Sequence, residues 1–103
     1  MDLKLKGKVA IITGGSDGIG KAAALSLSRE GARVAIAART EATLANAAKE
    51  IIDETGNEVI GIPTDVTDET QVEALINEVV SKWGGVDILV NNAGTSSVAR
   101  LQD

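Results

Sequence analysis

The sequence contains no histidine, cysteine, tyrosine or phenylalanine, and Trp83 is its only aromatic residue. Without cysteine there are no disulfides, thiolate nucleophiles or Cys/His zinc sites, and without histidine no imidazole carries protons. Positive charge is scarce as well. Fifteen acidic against ten basic residues give a net charge of -5, which opposes the counterion release that drives nucleic-acid binding. A single aromatic offers no stacking platform for single strands. No apolar run approaches the ~20 residues of a membrane span, and Met1 to Lys8 alternate charge with leucine where a signal peptide would be continuously apolar. The expectation is a cytoplasmic protein with neither nucleic acid nor membrane as a partner. At 103 residues, 44% hydrophobic with 11 glycines, residues 1–103 read as one small domain with a modest core.

What is present alternates between two kinds of segment. Short apolar runs at residues 9–12, 34–38, 59–62 and 86–90 are stopped by Thr13-Gly14-Gly15, Arg39, Pro63 and Asn91-Asn92-Ala93-Gly94. Continuous apolar runs suit strands buried on both faces of a parallel sheet. Between them lie helical patterns. Residues 19–30 are rich in Ala and Leu and close at Gly31; Leu44, Ala47, Ala48, Ile51 and Ile52 form a stripe ending at Gly56. A third stripe, Val72, Leu75, Ile76, Val79 and Trp83, begins after Thr67 or Asp68 as N-cap and ends at Gly84-Gly85, with Trp83 assigned to the core. Strand and helix in strict alternation predict right-handed βαβ crossovers and an α/β fold.

The stretch Thr13-Gly14-Gly15-Ser16-Asp17-Gly18-Ile19-Gly20 follows the first strand and opens the first helix. Glycines at such a turn permit positive φ, let the backbone approach a ligand and allow close helix–sheet packing. The helix N-terminus beyond them offers free N–H groups and a positive dipole end, so a pyrophosphate can bind there without a basic side chain. The backbone N–H of Ile19 is the candidate donor. The alternative is an ordinary glycine-rich turn.

The spacing Gly14-x-x-x-Gly18-x-Gly20 resembles the Thr-Gly-x-x-x-Gly-x-Gly turn of the short-chain dehydrogenase/reductase family. Three further features agree with that resemblance: Asn91-Asn92-Ala93-Gly94 after the fourth strand, Asp65-Val66 after the third, and Lys8-Val9-Ala10 leading into the first. It implies a Rossmann-like doubly wound parallel sheet, here partial, with four strands in the order 3-2-1-4 and three or four helices. Ligands of such sheets lie beyond the carboxyl ends of the strands, which gathers Gly14 to Gly20, Arg39, Asp65-Val66 and Asn91 to Gly94 along one edge.

The resemblance implies that the Asp65 carboxylate accepts from an adenine amino group and that the Val66 backbone contacts the ring; otherwise Asp65 is a turn or helix-capping carboxylate. Arg39 bears on cofactor choice. An acid at the end of the second strand suits the ribose 2′-OH of NAD, whereas an arginine suits the 2′-phosphate of NADP. Ala38 stands where NAD-using relatives carry Asp, so NADP is preferred over NAD. Ser16 adds a hydroxyl for the same phosphate, while Asp17 stands where NADP-using relatives carry a basic residue. Asn91 is expected both to steady the sheet and to line the cofactor together with Ala93, and Gly94 to let the backbone pass a ribose. The bland reading of Arg39 is a solvated surface cation.

Classical members of that family move hydride between a nicotinamide and a carbonyl or alcohol with a Tyr-x-x-x-Lys pair, a Ser and a further Asn. With no tyrosine in the chain, no catalytic residue carries over. Ser96 and Ser97 read as loop or helix-capping residues. The fourth strand is expected to form an apolar open edge, with two helices on one face of the sheet and one on the other. A buried-type strand at an edge implies either further chain or a homo-oligomer. The function implied is therefore an NAD(P)-dependent oxidoreductase represented by its dinucleotide-binding half, or else a dinucleotide-binding or structural module without catalysis.

Overall fold

The apolar runs become strands, and the two central ones, at residues 9–12 and 34–38, are covered on both faces. In the computed structural model, which describes residues 5–14 and 18–91 and the backbone of residues 97–100, β1 (Val9–Thr13) is buried at every position. The other elements follow as α1 (Gly18–Arg29), β2 (Arg33–Ala38), α2 (Glu41–Thr55), β3 (Val59–Pro63), α3 (Glu69–Trp83), β4 (Ile88–Asn91) and β5 (Ser97–Arg100). The sheet order is β3-β2-β1-β4-β5. β1 pairs in parallel with β2 (Ile11 opposite Ala35) and with β4 (Ile11 opposite Leu89), and β2 with β3 (Ile36 opposite Gly61). The four parallel strands thus stand in the expected 3-2-1-4 order.

Period-two alternation sorts the strand residues onto two cores. Ala10, Ile12, Val34 and Ile36 face α1 and α2, where Ala24, Leu44, Ala47 and Ile51 close the layer. Val9, Ile11, Ala35 and Ala37 face α3, which contributes Leu75 and Val79. Fully burying side chains of the size of Ile36, Leu44 or Ile51 in the first layer, or Ile11 and Leu75 in the second, contributes roughly 1.5–3 kcal/mol each. The split into two helices on one face and one on the other is as expected.

The helices end where the glycines predict. Gly56 and Gly84 take the left-handed conformation and donate back to Ile52 O at 2.8 Å and Val80 O at 2.7 Å. Of the two candidate caps for α3, Asp68 is the one used: its carboxylate accepts from the N–H groups of Thr70 and Gln71.

Three expectations need correction. The outer edge of β4 is not open, because β5 pairs with it antiparallel (Val90 opposite Val98), so Ser97 belongs to a strand and not to a loop or cap. The physical drive is the one that made an open edge improbable: a strand edge presents unpaired N–H and C=O groups. Ser96 lies outside the described residues. β4 also begins two residues late. Asp87 forms a reciprocal bridge with β1 instead, Val9 N donating to its Oδ2 at 2.9 Å and its own N–H donating to Val9 O at 2.8 Å. Trp83 is a rim residue, half-buried against the α3 layer, because its indole N–H reaches out to Glu58 Oε2 at 3.2 Å.

Candidate functional site

The carboxyl ends of β1, β2 and β3 open into a cleft of about 390 Å3. Gly14 lines it at the end of β1, Ala37, Ala38 and Arg39 at the end of the central β2, and Thr64, Val66 and Thr67 beyond β3. The cleft exists because the chain turns sharply at each strand end. Gly14 has φ +70°, a conformation costly for any side chain, and its N–H is tied across the sheet to Ala37 O at 2.6 Å. Thr64 extends the neighbouring ladder, donating to Ala38 O at 2.7 Å from a position that is almost fully buried.

Just past Gly14, α1 presents its N-terminus. Its first turn, from Gly18, carries no acidic residue. Gly18 opens the helix at φ +48° and Gly20 is buried toward the sheet, whereas Ile19 exposes 73% of its surface. An apolar side chain that exposed, on a helix that otherwise packs inward, stands out among the described residues.

Arg39 and Asp65, predicted for opposite ends of an adenosine phosphate, are brought together. Arg39 Nη2 lies 3.3 Å from Asp65 Oδ1. The same oxygen accepts from Thr67 Oγ1 at 2.6 Å and from Thr67 N at 3.0 Å. The Thr67 hydroxyl and N–H hold the Asp65 carboxyl below its ordinary range; desolvation opposes them, and the charge and hydrogen bond of Arg39 add smaller lowering effects. Asp65 therefore makes the turn into α3, and Asp68 caps the helix. Val66, next along, lines the cleft.

On the far side of β1, Thr13 Oγ1 donates to Asn91 Oδ1 at 3.0 Å. This bond joins the glycine turn to the end of β4 and fixes where the chain leaves the sheet. Ser16 and Asp17, and Ala93 and Gly94, lie outside the described residues. Of the sequence-derived candidates, then, Gly14, Arg39 and Val66 share the cleft, Asp65 stands against Arg39 on its rim, and Ile19 with Gly18 and Gly20 forms the adjacent helix start. Sequence reasoning overlooked Thr64 and gave Thr67 only as a candidate helix cap. The signal for Thr67 was available as a hydroxyl residue two positions after Asp65, the spacing of an Asx-turn.

A larger cleft, about 510 Å3, lies at the opposite, amino ends of the strands. It is a poorer candidate despite its size. Of its three cations Lys6, Arg29 and Arg33, the two arginines are already paired with Glu54 and Glu58, and ligands of open α/β sheets bind at the carboxyl ends. Among the described residues no cluster of side chains could hold a metal ion, and no helix is long and apolar enough to cross a membrane.

The family model for short chain dehydrogenase matches residues 8–103. The chain belongs to the short-chain dehydrogenase family. Among its relatives, sorbitol dehydrogenase of Cereibacter sphaeroides is 45% identical over 100 residues, covering 96% of this chain and 37% of that enzyme. Human hydroxysteroid dehydrogenase-like protein 2 is 40% identical over 107 residues, covering 97% of this chain and 25% of that protein. Among solved structures, L-sorbose reductase from Gluconobacter frateurii, complexed with NADPH and L-sorbose, superposes with a TM-score of 0.87 at 44% identity. The match covers 94% of this chain and 37% of the reductase. A metagenomic short-chain oxidoreductase in complex with NADP gives a TM-score of 0.83 at 38% identity, covering 88% of this chain and 41% of that one. This short-chain dehydrogenase sequence thus spans well under half the length of the relatives it matches.

Proposed function

We propose that this chain is the dinucleotide-binding half of an NADP-preferring oxidoreductase, one that reduces carbonyls or oxidises alcohols by hydride transfer. The observation that carries the reading is the cleft at the strand carboxyl ends, which Arg39 lines and where the neighbouring Ala38 brings no acid to repel a phosphate. The residues present fit such a group. The Arg39 guanidinium holds a 2′-phosphate, Asp65 and Val66 hold the adenine, and Gly14 lets the backbone run close to the adenosine ribose. The Ile19 N–H and the α1 N-terminus take the pyrophosphate. By the family resemblance, Ser16 adds a hydroxyl for the same 2′-phosphate, and Asn91, Ala93 and Gly94 line the cofactor toward the nicotinamide, which when bound gives or takes the hydride. Asp17 is the member of the set that opposes a phosphate. NADPH and NADP in the structural relatives support the preference, with NAD as the alternative dinucleotide.

The chain has no tyrosine, so a second reading keeps the same site for a module that binds the dinucleotide without chemistry of its own. A cytoplasmic location, and a homo-oligomer or further chain over the α3 face of the sheet, belong to the proposal as well. Support for the latter is β4, whose Leu89 packs on the α3 side and remains only half-buried. Titration of the 103-residue chain with NADPH and NADH tests the central claim. Saturable binding with NADPH tighter is expected; no binding of either refutes it, and tighter NADH refutes the preference.

A further inference from the structure

One carboxylate oxygen on the cleft rim does three jobs while its twin does none. Asp65 Oδ1 accepts from Thr67 Oγ1, from Thr67 N and from Arg39 Nη2, and Oδ2 has no hydrogen-bond partner among the described residues. The two contacts from Thr67 are the short ones, at 2.6 and 3.0 Å against 3.3 Å from Arg39. It is therefore Thr67 that fixes the carboxylate, and the carboxylate in turn gives the otherwise free-swinging Arg39 a resting place. The arginine spends one N–H on this contact, which leaves the rest of its donors for a ligand. Thr67 itself lines the cleft, held there by the turn that Asp68 ends as cap of α3.

We propose that Thr67 is a positioning residue for the adenosine end of the site. It clamps Asp65 so that Oδ1 anchors Arg39 toward the 2′-phosphate and Oδ2 is left to accept from the adenine amino group. Deleting the Thr67 hydroxyl loosens both ligand contacts at once. The proposal rests on the cofactor reading given above. The lowered pKa of Asp65, for which the Thr67 hydroxyl is the largest cause, agrees with the geometry. Arg39 is the charged group that faces Asp65; Asp68, the nearest acid in sequence, spends its carboxylate on the α3 N-terminus and the Gln71 amide.

The test compares wild type, Thr67→Val and Thr67→Ser in two measurements: the Asp65 carboxyl titration by NMR in the cofactor-free chain, and the dissociation constants of NADPH and NADH. In Thr67→Val the Asp65 pKa rises toward its ordinary value, NADPH binding weakens about two- to tenfold, as for the loss of one hydrogen bond, and NADH weakens less. Thr67→Ser restores both. An unshifted Asp65 in Thr67→Val overturns the clamp. A shifted Asp65 with wild-type NADPH affinity overturns the positioning role while cofactor binding stands. A wild-type chain that binds neither dinucleotide, with Asp65 still shifting in Thr67→Val, overturns the cofactor reading and the positioning role with it, though the clamp itself is then seen to exist.

Discussion

Arg39→Ala separates the two dinucleotides. The Arg39 side chain is 71% exposed, so its attraction for a phosphate works through water and not through a protein interior. Two unit charges 4 Å apart attract by ~1 kcal/mol in that setting, and a phosphate monoester carries about -1.5 to -2 charges at neutral pH. The loss expected for NADPH is therefore about 1.5–2 kcal/mol, or roughly 10- to 30-fold in dissociation constant. NADH has only a hydroxyl at that position and is expected to change less than about twofold. Titration by nucleotide fluorescence at two ionic strengths reads both ligands. The NADPH effect is largest at low salt, where the Debye length is ~30 Å, and shrinks at 0.15 M, where it is ~8 Å. Arg39→Lys keeps the charge without the planar fork and falls between wild type and Arg39→Ala. Equal weakening of NADPH and NADH, or an NADPH effect indifferent to salt, refutes the assignment of Arg39 to the 2′-phosphate.

Two predictions concern the scaffold around the site. Because the folded-state pKa of Asp65 lies below its unfolded value, the stability it contributes is present above the unfolded pKa and lost as pH falls through the folded one. Wild type is thus expected to exceed Asp65→Asn in urea denaturation at pH 7, and the gap to close as pH falls through the folded-state pKa; a gap that persists in strong acid contradicts the linkage. On β3, a Cβ at Gly61 would lie 2.9 Å from Leu44 Cβ and 3.3 Å from its carbonyl oxygen. Gly61→Ala is expected to cost about 1–3 kcal/mol in thermal or chemical denaturation. Leu44→Ala in the same chain does not relieve it, because the offending Cβ and backbone remain, and rescue by that second change would refute the packing argument.

The strands were legible because burial on both faces leaves an apolar run that nothing else in a short sequence explains, and β1 is buried from Val9 to Thr13. The helix ends were legible for a different reason: Gly56 and Gly84 take a left-handed conformation that other residues resist. Trp83 misled because its place in the α3 stripe says which way it points around the helix and nothing about depth. The start of β4 misled because Asp87, a side chain, substitutes for a strand bond to Val9. Within the site, Gly14, Arg39 and Val66 could each be singled out from the ends of predicted strands. Thr67 could not be weighed in the same way, since its importance lies in which atom of Asp65 it holds.

The sequence by itself determined the alternation of strand and helix, the glycine turn, and the absence of any residue for imidazole, thiolate or phenol chemistry. These are local or compositional properties, set by backbone conformation and by which functional groups exist at all. Only the tertiary structure decided that β5 covers the edge of β4, that Thr13 ties the glycine turn to Asn91, and that one oxygen of Asp65 is shared by Thr67 and Arg39. Each joins groups whose distance is fixed by the register of the sheet, parallel for β1, β2 and β4 and antiparallel for β5, or by the turn into α3, and spacing along the chain does not encode it.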